Sequence, residues 1–311
     1  MKILVTGGAG FIGSHVVDGY VEAGHDVIVV DDLSSGKRAN LNPEARFEQL
    51  DILDPASAAL IEREKPDVIN HHAAQMDVRR SVADPIFDAR VNILGTIGLL
   101  DAARRAGARK FLLVSSGGAV YGEQEVYPAP ETHQTWPVSP YGVSKRSGEL
   151  YAHFFHAEYG LSFVAFRYAN VYGPRQDPHG EAGVVAIFSG KMLRGEPVTV
   201  NGDGKQTRDY VFVGDVARMS RLALETDATG PVNVGTGVET DVNRLAEGLL
   251  AAAQSSSDVT HGPAASGEQR RSVVDCRLAR ERFGWVPEVS LDEGLRRTVA
   301  YFREQAAEAQ R

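Results

Sequence analysis

The fold is decided by one stretch near the start of the chain, ILVTGGAGFIG at residues 3–13. An apolar run of strand character is followed at once by Gly7, Gly10 and Gly13. This spacing lets a tight turn close, lets backbone N–H groups approach a pyrophosphate and lets the next helix pack on the sheet. The stretch therefore predicts a strand, a turn and a helix whose N-terminus binds the phosphates of a dinucleotide.

A second apolar run, at residues 27–30, ends in two carboxylates, Asp31 and Asp32. A carboxylate at this point accepts hydrogen bonds from an adenosine ribose and repels a 2′-phosphate. The pair predicts NAD as the cofactor, although Lys37 and Arg38 close by leave NADP open.

Five short apolar runs alternate with helical patterns in the first half of the chain, at residues 3–5, 27–30, 68–69, 111–114 and 163–166. Runs that are apolar on both faces suit a parallel sheet covered by helices. The segments 92–106 and 141–159 are long enough for crossover helices. The alternation predicts an α/β fold with a Rossmann-type doubly wound parallel sheet.

The alternation ends near residue 170, where turns rich in glycine and proline begin. We predict a NAD-binding domain over residues 1–170, to which later segments can return. Residues 171–311 are predicted to form mainly a smaller, irregular α/β domain for the substrate. Residues 254–267, rich in serine, alanine and glycine, are predicted to be a loop.

Composition excludes several classes of function. The chain has 311 residues, with 33 lysines and arginines and 41 aspartates and glutamates. The resulting net charge of −8 argues against nucleic acid or an anionic membrane as partner. Cys276 is the single cysteine, which fits a reducing compartment. No apolar run approaches the ~20 residues of a membrane span, and no signal-peptide core precedes the glycines. These features predict a soluble, cytoplasmic protein.

Histidines occur in two close pairs, at residues 71 and 72 and at residues 153 and 156. Neither pair has a cysteine nearby or fits the His-Glu-x-x-His pattern, so no metal site is predicted.

A candidate redox centre consists of Tyr141 and Lys145, which lie four residues apart and so share one face of a helix. A phenol with a pKa of ~10 is a poor base at neutral pH. A neighbouring ammonium and an oxidised nicotinamide both favour the phenolate, which can remove an alcohol proton as hydride leaves. Ser115 and Ser116 end a predicted strand, where a hydroxyl could share the substrate oxygen. A packing role for Tyr141 and a turn-forming role for either serine are the alternatives.

Several motifs carry a family resemblance: TGGAGFIG at 6–13, SS at 115–116, VYG at 120–122, YGVSK at 141–145, RYANVYGPR at 167–175 and TRDYV at 207–211. The chain resembles the extended short-chain dehydrogenase/reductases, in particular the NAD-dependent nucleotide-sugar epimerase/dehydratase family, and most of all its bacterial UDP-glucose 4-epimerases. The resemblance implies a tightly held NAD, a UDP-sugar substrate and a homodimer built from a helix pair of each subunit.

The resemblance also implies roles for individual residues. Tyr141, Lys145 and Ser116 would be catalytic. The expected NAD-binding residues are Gly7, Gly10, Phe11, Ile12, Gly13, Asp31, Asp32, Ser35, Gly36, Asp51, Ile52, His72, Ala73, Ala74, Gln75, Asn92, Ser115, Tyr141, Lys145 and Tyr168. The expected substrate-binding residues are Ser116, Tyr141, Asn170, Val184, Val185, Thr199, Asn201, Arg208 and Ser272.

The sequence departs from the family pattern at three positions. Gly117 stands where most such epimerases have serine or threonine, so the hydroxyl would come from Ser116. Ala265 stands where the family often has a phosphate-binding arginine, which leaves Arg208, with Arg270 or Arg271 as a further candidate, to hold the diphosphate. Ser272 aligns with a tyrosine that closes the sugar pocket in some members, so an N-acetylated sugar could also fit.

These features favour epimerisation among the reactions of the family. A 4,6-dehydratase needs an additional acid and base, which the glycines at 117 and 118 cannot supply. We predict an NAD-dependent 4-epimerase that interconverts UDP-glucose and UDP-galactose through a 4-keto intermediate, with UDP-GlcNAc and UDP-GalNAc as further candidates. The alternatives are another nucleotide-sugar epimerase or a decarboxylase acting on UDP-glucuronate or a UDP-pentose, and a non-catalytic NAD-binding sensor.

Overall fold

The computed structural model describes residues 1–178, 183–264 and 269–308. Within these residues the strands are β1 Lys2–Thr6, β2 Asp26–Val30, β3 Arg46–Glu48, β4 Val68–His71, β5 Lys110–Ser116, β6 Ser162–Tyr168, β7 Asn170–Tyr172, β8 Val198–Asn201, β9 Thr207–Phe212, β10 Gly230–Val234, β11 Glu239–Asp241, β12 Val259–Gly262 and β13 Arg271–Ser272.

The helices of the same residues are α1 Phe11–Glu22, α2 Pro55–Glu64, α3 Val78–Ala83, α4 Pro85–Ala89, α5 Gly95–Ala106, α6 Gly117–Val120, α7 Pro140–Tyr159, α8 Val184–Leu193, α9 Val213–Leu222, α10 Val242–Ala253, α11 Arg277–Phe283 and α12 Leu291–Glu308. A 3₁₀ turn spans Arg38–Asn40, and a π-helical turn spans Arg90–Leu94 between α4 and α5. Among the described residues, no helix is both long enough and apolar enough to cross a membrane.

Seven of the described strands form one sheet in the order β10-β6-β5-β4-β1-β2-β3. Every neighbouring pair in this sheet is parallel. The order reverses between β1 and β4, and parallel sheets of this kind bind ligands at such a point, outside the carboxyl ends of the strands. The predicted doubly wound α/β fold is confirmed.

Side chains that alternate along the central strands are buried on both faces of the sheet. In β1, Ile3 and Val5 join the core under α1 and α9, whereas Leu4 joins the core under α2, α5 and α7. All three are fully buried, and burial of such a side chain stabilises the fold by about 1.5–3 kcal/mol. Both faces therefore exclude water, and binding groups are left to the strand ends.

The later part of the chain forms smaller sheets beside the large one. β9 pairs with β7 and β13 in parallel and with β11 antiparallel, while β8 and β12 form a separate parallel pair. Helices α8, α10 and α12 pack on this region around a core of their own.

Some segments differ from the sequence-based expectation. All five predicted strands are present, but β3 and β10 were not expected. The loop prediction for 254–267 is wrong at 259–262, because these residues pair with β8; residues 265–267 lie outside the described part. Strand β10 joins the large sheet and α9 packs on α1, although both follow residue 170. The domain boundary near residue 170 stays a prediction.

Candidate active site

The glycine turn lies between β1 and α1 and has no room for larger side chains. Gly7 has φ of +70°, and a Cβ atom on it would lie 2.5 Å from the Ala73 backbone nitrogen. A Cβ atom on Gly13 would lie 2.2 Å from the Gly7 carbonyl oxygen. Gly10 precedes α1 and offers no side chain to cap it, so the first N–H groups of the helix are available to an anion. Phe11 and Ile12, which were predicted to bind the cofactor, form the start of this helix.

Asp31 lies at the end of β2 and faces the glycine turn. Its Oδ2 accepts a hydrogen bond from the Ala9 N–H at 2.9 Å, and its Oδ1 accepts one from the Leu33 N–H at 2.8 Å. A carboxylate has about four acceptor sites, so two stay available to a ribose diol. Burial raises the pKa of this carboxyl. Gly36 is needed here, because a Cβ atom on it would lie 2.8 Å from Asp31 Oδ1.

The neighbouring residues of this loop are arranged in support of NAD. Asp32 is exposed and accepts bonds from the following turn, and Ser35 is exposed beside it. The cations that would suit a 2′-phosphate have other partners: Lys37 pairs with an aspartate at 3.7 Å, and Arg38 donates to Gln49 Oε1 at 2.6 Å.

Tyr141 and Lys145 lie in the first two turns of α7. Ser139 begins the helix by accepting a bond from the Gly142 N–H at 3.1 Å. The Lys145 Nζ atom is 5.8 Å from the centroid of the Tyr141 ring and donates to the Val114 carbonyl oxygen at 3.1 Å. Burial lowers the pKa of Lys145 to about 8. The predicted pair is therefore on one helix face, at the carboxyl edge of the sheet.

The two serines at the end of β5 differ in their contacts. Ser115 is buried and donates to Glu149 Oε1 at 2.6 Å, so its hydroxyl is engaged away from Tyr141. Ser116 is half-buried, and its hydroxyl makes no hydrogen bond to the residues that the structure describes. A Cβ atom on Gly118 would lie 4.0 Å from both Ser116 Oγ and Asn170 Oδ1. The geometry therefore favours Ser116 as the hydroxyl near the substrate.

Gly117 stands where the resemblance implies serine or threonine, and the structure leaves little room for a side chain there. A Cβ atom at this position would lie 3.0 Å from both the Arg167 carbonyl oxygen and Val274 Cγ1. A side chain here would require these neighbours to move by a few tenths of an ångström, so the local packing favours glycine.

Asn92 organises the segment that follows β4. Its Oδ1 accepts from the Gln75 N–H at 2.9 Å. Its two Nδ2 hydrogens are shared among the Gln75 carbonyl oxygen at 2.8 Å, Asp88 Oδ1 at 3.0 Å and Ser144 Oγ at 3.2 Å. The π-helical turn places this side chain inward, where it is buried. The bonds hold the predicted cofactor segment, residues 72–75, against α7.

His72 and Ala73 of this segment lie beside the glycine turn, and Ala74 follows them in the chain. The Ala73 N–H donates to the Thr6 carbonyl at 3.1 Å, next to Gly7. The His72 Nε2 atom is buried without a hydrogen-bond partner among the described residues. Burial, with the nearby Lys145 charge, lowers the pKa of His72 to about 3, so this ring is neutral. An orphaned polar atom beside a cradle of backbone and glycines fits a bound nicotinamide dinucleotide.

Three predicted cofactor residues lie farther from this arrangement or face away from it. Tyr168 ends β6, but its ring stacks on Phe166 with centroids 5.7 Å apart inside the core, so only its backbone reaches the sheet edge. Asp51 is exposed in the loop before α2, and Ile52 packs near Gly95.

The predicted substrate residues come from several elements around β9. Ser272 on β13 lies opposite Arg208 on β9, and Asn170 on β7 lies opposite Tyr210 of the same strand. Thr199 and Asn201 are exposed on β8, while Val184 and Val185 begin α8, where Val185 is buried. The structure thus places Arg208, Ser272 and Asn170 on adjacent strands, with Val184, Val185, Thr199 and Asn201 on α8 and β8.

The arginines near the C-terminal strand have ion-pair partners. Arg270 contacts Asp203 at 2.8 Å, and Arg271 pairs with Glu239 at 2.5 Å and lies 3.8 Å from the Tyr127 ring centroid. Ala265 lies outside the described residues.

Two buried acidic residues beside the redox pair were not predicted. Asp88 precedes Asn92 by four residues, and Glu149 follows Lys145 by four. This helical spacing was a usable signal, because residues four apart share a helix face.

Comparison with known proteins shows which family the chain resembles. The model of the NAD dependent epimerase/dehydratase family matches residues 3–235. The UDP-glucose 4-epimerase of Mycolicibacterium smegmatis is 46% identical, and the match covers 98% of this chain and 100% of that protein. The crystal structure of UDP-glucose 4-epimerase with UDP-glucose from Thermotoga maritima has 50% identity and a TM-score of 0.95, covering 98% of this chain and 100% of that one.

A third similar protein is the UDP-N-acetylglucosamine 4-epimerase of Methanobrevibacter ruminantium M1, solved in complex with UDP-N-acetylmuramic acid. It is 36% identical with a TM-score of 0.93, and 98% of each chain is covered. The matches extend over the glycine turn, the redox pair and the strands around β9. This chain therefore belongs to the NAD-dependent epimerase/dehydratase family.

Proposed function

We propose that this NAD-dependent enzyme, a nucleotide-sugar 4-epimerase, interconverts UDP-glucose and UDP-galactose through a 4-keto intermediate. The observation that supports this most is the position of Tyr141, with Lys145 one helical turn away and Ser116 at the adjacent strand end. These groups lie at the carboxyl edge of the sheet, where Lys145 contacts the Val114 carbonyl near the end of β5. The two UDP-glucose 4-epimerases that are 46% and 50% identical to the chain support the choice of sugar.

The residues of the glycine turn would hold the pyrophosphate of NAD, Asp31 its ribose, and residues 72–75 with Asn92 its nicotinamide half. Bound NAD supplies the acceptor and later the donor of the C4 hydride. Lys145 favours the phenolate of Tyr141 through its positive charge. The phenolate takes the proton from the C4 hydroxyl as the C4–H bond breaks and C4=O forms. Ser116 donates a hydrogen bond to the same oxygen, and Tyr141 returns the proton in the reverse step.

Inversion requires that the keto sugar present its other face before hydride returns. We infer that Arg208 and the backbone at the start of α8 hold the diphosphate while the hexose turns about its phosphate linkage. Arg208 is half-buried and its Nη1 donates to the Thr207 carbonyl at 2.8 Å, so part of the guanidinium is oriented by its own strand. A retained diphosphate keeps the intermediate at high effective concentration.

A second substrate is supported by the small residue at position 272. Ser272 lies opposite Arg208 in the strand pairing and carries no bulk that would close a sugar pocket. The N-acetylglucosamine epimerase with 36% identity has the same fold. We infer that UDP-GlcNAc is epimerised in addition to UDP-glucose.

The proposed assembly is a homodimer through α5 and α7. An apolar stripe on α7 is exposed, with Val143 at 48%, Leu150 at 53% and Phe154 at 49%, and Leu94 before α5 is 59% exposed. Contiguous apolar surface of this kind marks protein–protein contacts. The mass of the protein in solution tests this, and a monomer at micromolar concentration would contradict it.

The activity is tested with purified protein and UDP-glucose, without added NAD. We expect UDP-galactose to form, and Tyr141→Phe to lower turnover by about 10² or more while NAD stays bound, because only the acid–base group is lost. Tyr159→Phe is the matched control, since Tyr159 ends the same helix and is 49% exposed. Near-normal turnover of Tyr141→Phe would overturn the assignment of the base.

A further inference from the structure

A buried carboxylate beside the redox pair has no part in the chemistry described above. Asp88 lies in α4, and 1% of its surface is exposed. Its Oδ1 accepts from Gln75 Nε2 and from Asn92 Nδ2, both at 3.0 Å. Its Oδ2 is enclosed and has no hydrogen-bond partner among the residues that the structure describes. In the described part of the chain, two neutral amides therefore bind one oxygen of this carboxylate and the other oxygen is unbound.

A buried carboxylate of this kind requires an opposite charge, because two amide dipoles do not replace its hydration. Helix α4 packs against α7, which carries the buried ammonium of Lys145. The hydrogen-bond partner of that ammonium in the structure is a neutral carbonyl, that of Val114. Among the residues that the structure describes, neither buried charge has a direct ionic partner, and the helices that carry them, α4 and α7, pack on each other.

The electrostatics of Lys145 agree with this arrangement. Burial lowers the pKa of Lys145, and the charge of Asp88 opposes that effect by favouring the ammonium. Glu149, the next carboxylate along α7, is bound by Arg167 at 2.7 Å and by Arg146 at 2.8 Å. Its charge is therefore already balanced.

The histidines that face Lys145 are neutral and cannot balance it. Thr96 Oγ1 donates to the Asn92 carbonyl at 2.6 Å and so accepts from His71 Nε2 at 3.1 Å. His71 Nδ1 then accepts from Thr6 Oγ1 at 2.7 Å, which satisfies the neutral ring. Burial, with the Lys145 charge, lowers the pKa of both His71 and His72. The Tyr141 phenol is also a neighbour of Lys145, with its ring centroid 5.8 Å from Nζ.

We propose that Asp88 is the counter-charge of Lys145, a positioning residue that keeps the ammonium protonated while Tyr141 exchanges its proton with the sugar. The proposal rests on the proposed function for its catalytic meaning, but the electrostatic coupling itself is a property of the protein without substrate. Among the residues that the structure describes, Asp88 bonds to Gln75 and Asn92 and not to Lys145, so its effect on Lys145 is that of a nearby charge.

The test is Asp88→Asn, which keeps the oxygen that accepts from Gln75 and Asn92 and removes the charge. The Lys145 amine is titrated by NMR in protein containing isotope-labelled lysine, and its signal is assigned by its absence from Lys145→Arg. We expect a titration near pH 8 in the wild type, and about one pH unit lower in Asp88→Asn. The alkaline limb of the turnover profile should move in the same direction by a similar amount.

Asp215→Asn is the matched control, because Asp215 is also buried, at 2% exposure, but accepts from Val289 and Glu288 N–H groups far from the redox pair. This control should leave the Lys145 titration and the turnover profile in place. Asp88→Ser provides a second neutral variant with less bulk if the asparagine amide prevents folding.

The outcomes separate the two proposals. An unchanged Lys145 titration in both neutral variants overturns the counter-charge, even if the wild type epimerises UDP-glucose and Tyr141→Phe does not. Absence of epimerase activity in the wild type overturns the proposed function, while a lower Lys145 titration in Asp88→Asn still supports the coupling.

Discussion

Arg167 and Glu149 form a buried ion pair that joins β6 to α7, the helix that carries Tyr141 and Lys145. Nε of Arg167 lies 2.9 Å from Oε1 of Glu149, and Nη2 lies 2.7 Å from Oε2. Each side chain is only 2% exposed. Ser115 donates to the same carboxylate, so the pair also anchors the strand end that carries Ser116. The ion pair holds α7 against the sheet, one helical turn after Lys145.

Glu149→Gln should strongly destabilise the protein, because it leaves the Arg167 guanidinium buried without an opposite charge. We expect the free energy of unfolding to fall by about 3–5 kcal/mol in denaturant titrations. Arg146→Ala is the control, since Arg146 contacts the same carboxylate but is 31% exposed, and its loss should cost less than about 1 kcal/mol. Equal effects of the two variants would contradict the assigned importance of the buried pair.

The hydroxyl of Ser116 should contribute to catalysis, and that of Ser115 mainly to stability. Ser116→Ala should lower turnover on UDP-glucose by about 10² or more, because the hydrogen bond to the C4 oxygen is lost in the transition state. Ser115→Ala removes one hydrogen bond to Glu149 and should lower the free energy of unfolding by about 1 kcal/mol.

Both serine variants are compared by turnover and by thermal unfolding of the NAD-loaded protein. A larger loss of turnover in Ser115→Ala than in Ser116→Ala would show that the wrong serine has been assigned. Because the Ser115 hydroxyl donates to Glu149 of the ion pair, we expect the predicted contact of Ser115 with the cofactor to be made by its backbone.

The sequence predicted what local signals encode. Apolar runs buried on both faces identified the five central strands, and the four-residue spacing of Tyr141 and Lys145 identified the pair on α7. Strands β3 and β10 were missed because one is short and polar and the other contains glycine and proline. Strand β12 was missed because it is an extended strand only through its pairing with β8, which is distant in sequence.

The same limit applies to the site. The glycine turn and Asp31 are close in sequence to the strands that carry them, so their roles could be predicted. The contacts of Asp88 with Gln75 and of Ser115 with Glu149 join different elements and appear only when the chain is folded. Which serine carries the free hydroxyl therefore required the structure, as did the inward ring of Tyr168.

Ser272 should control which sugars enter the pocket. It is 4% exposed and lies opposite Arg208 in the pairing of β13 with β9. Ser272→Tyr adds a ring beside the predicted sugar site, so a bulky C2 substituent should be excluded first. We expect the ratio of kcat/KM for UDP-GlcNAc to that for UDP-glucose to fall by about tenfold or more, the range that a change in pocket size produces.

Ser256→Tyr is the control for this substitution, because Ser256 is exposed in the loop after α10 and should leave the ratio unchanged. The ratio is measured for both variants under identical conditions, together with the melting temperature. A general loss of folded protein lowers the activity on both sugars equally and therefore does not change the ratio. An unchanged ratio in folded Ser272→Tyr would show that position 272 does not border the C2 substituent, because a ring beside that group would reduce its space.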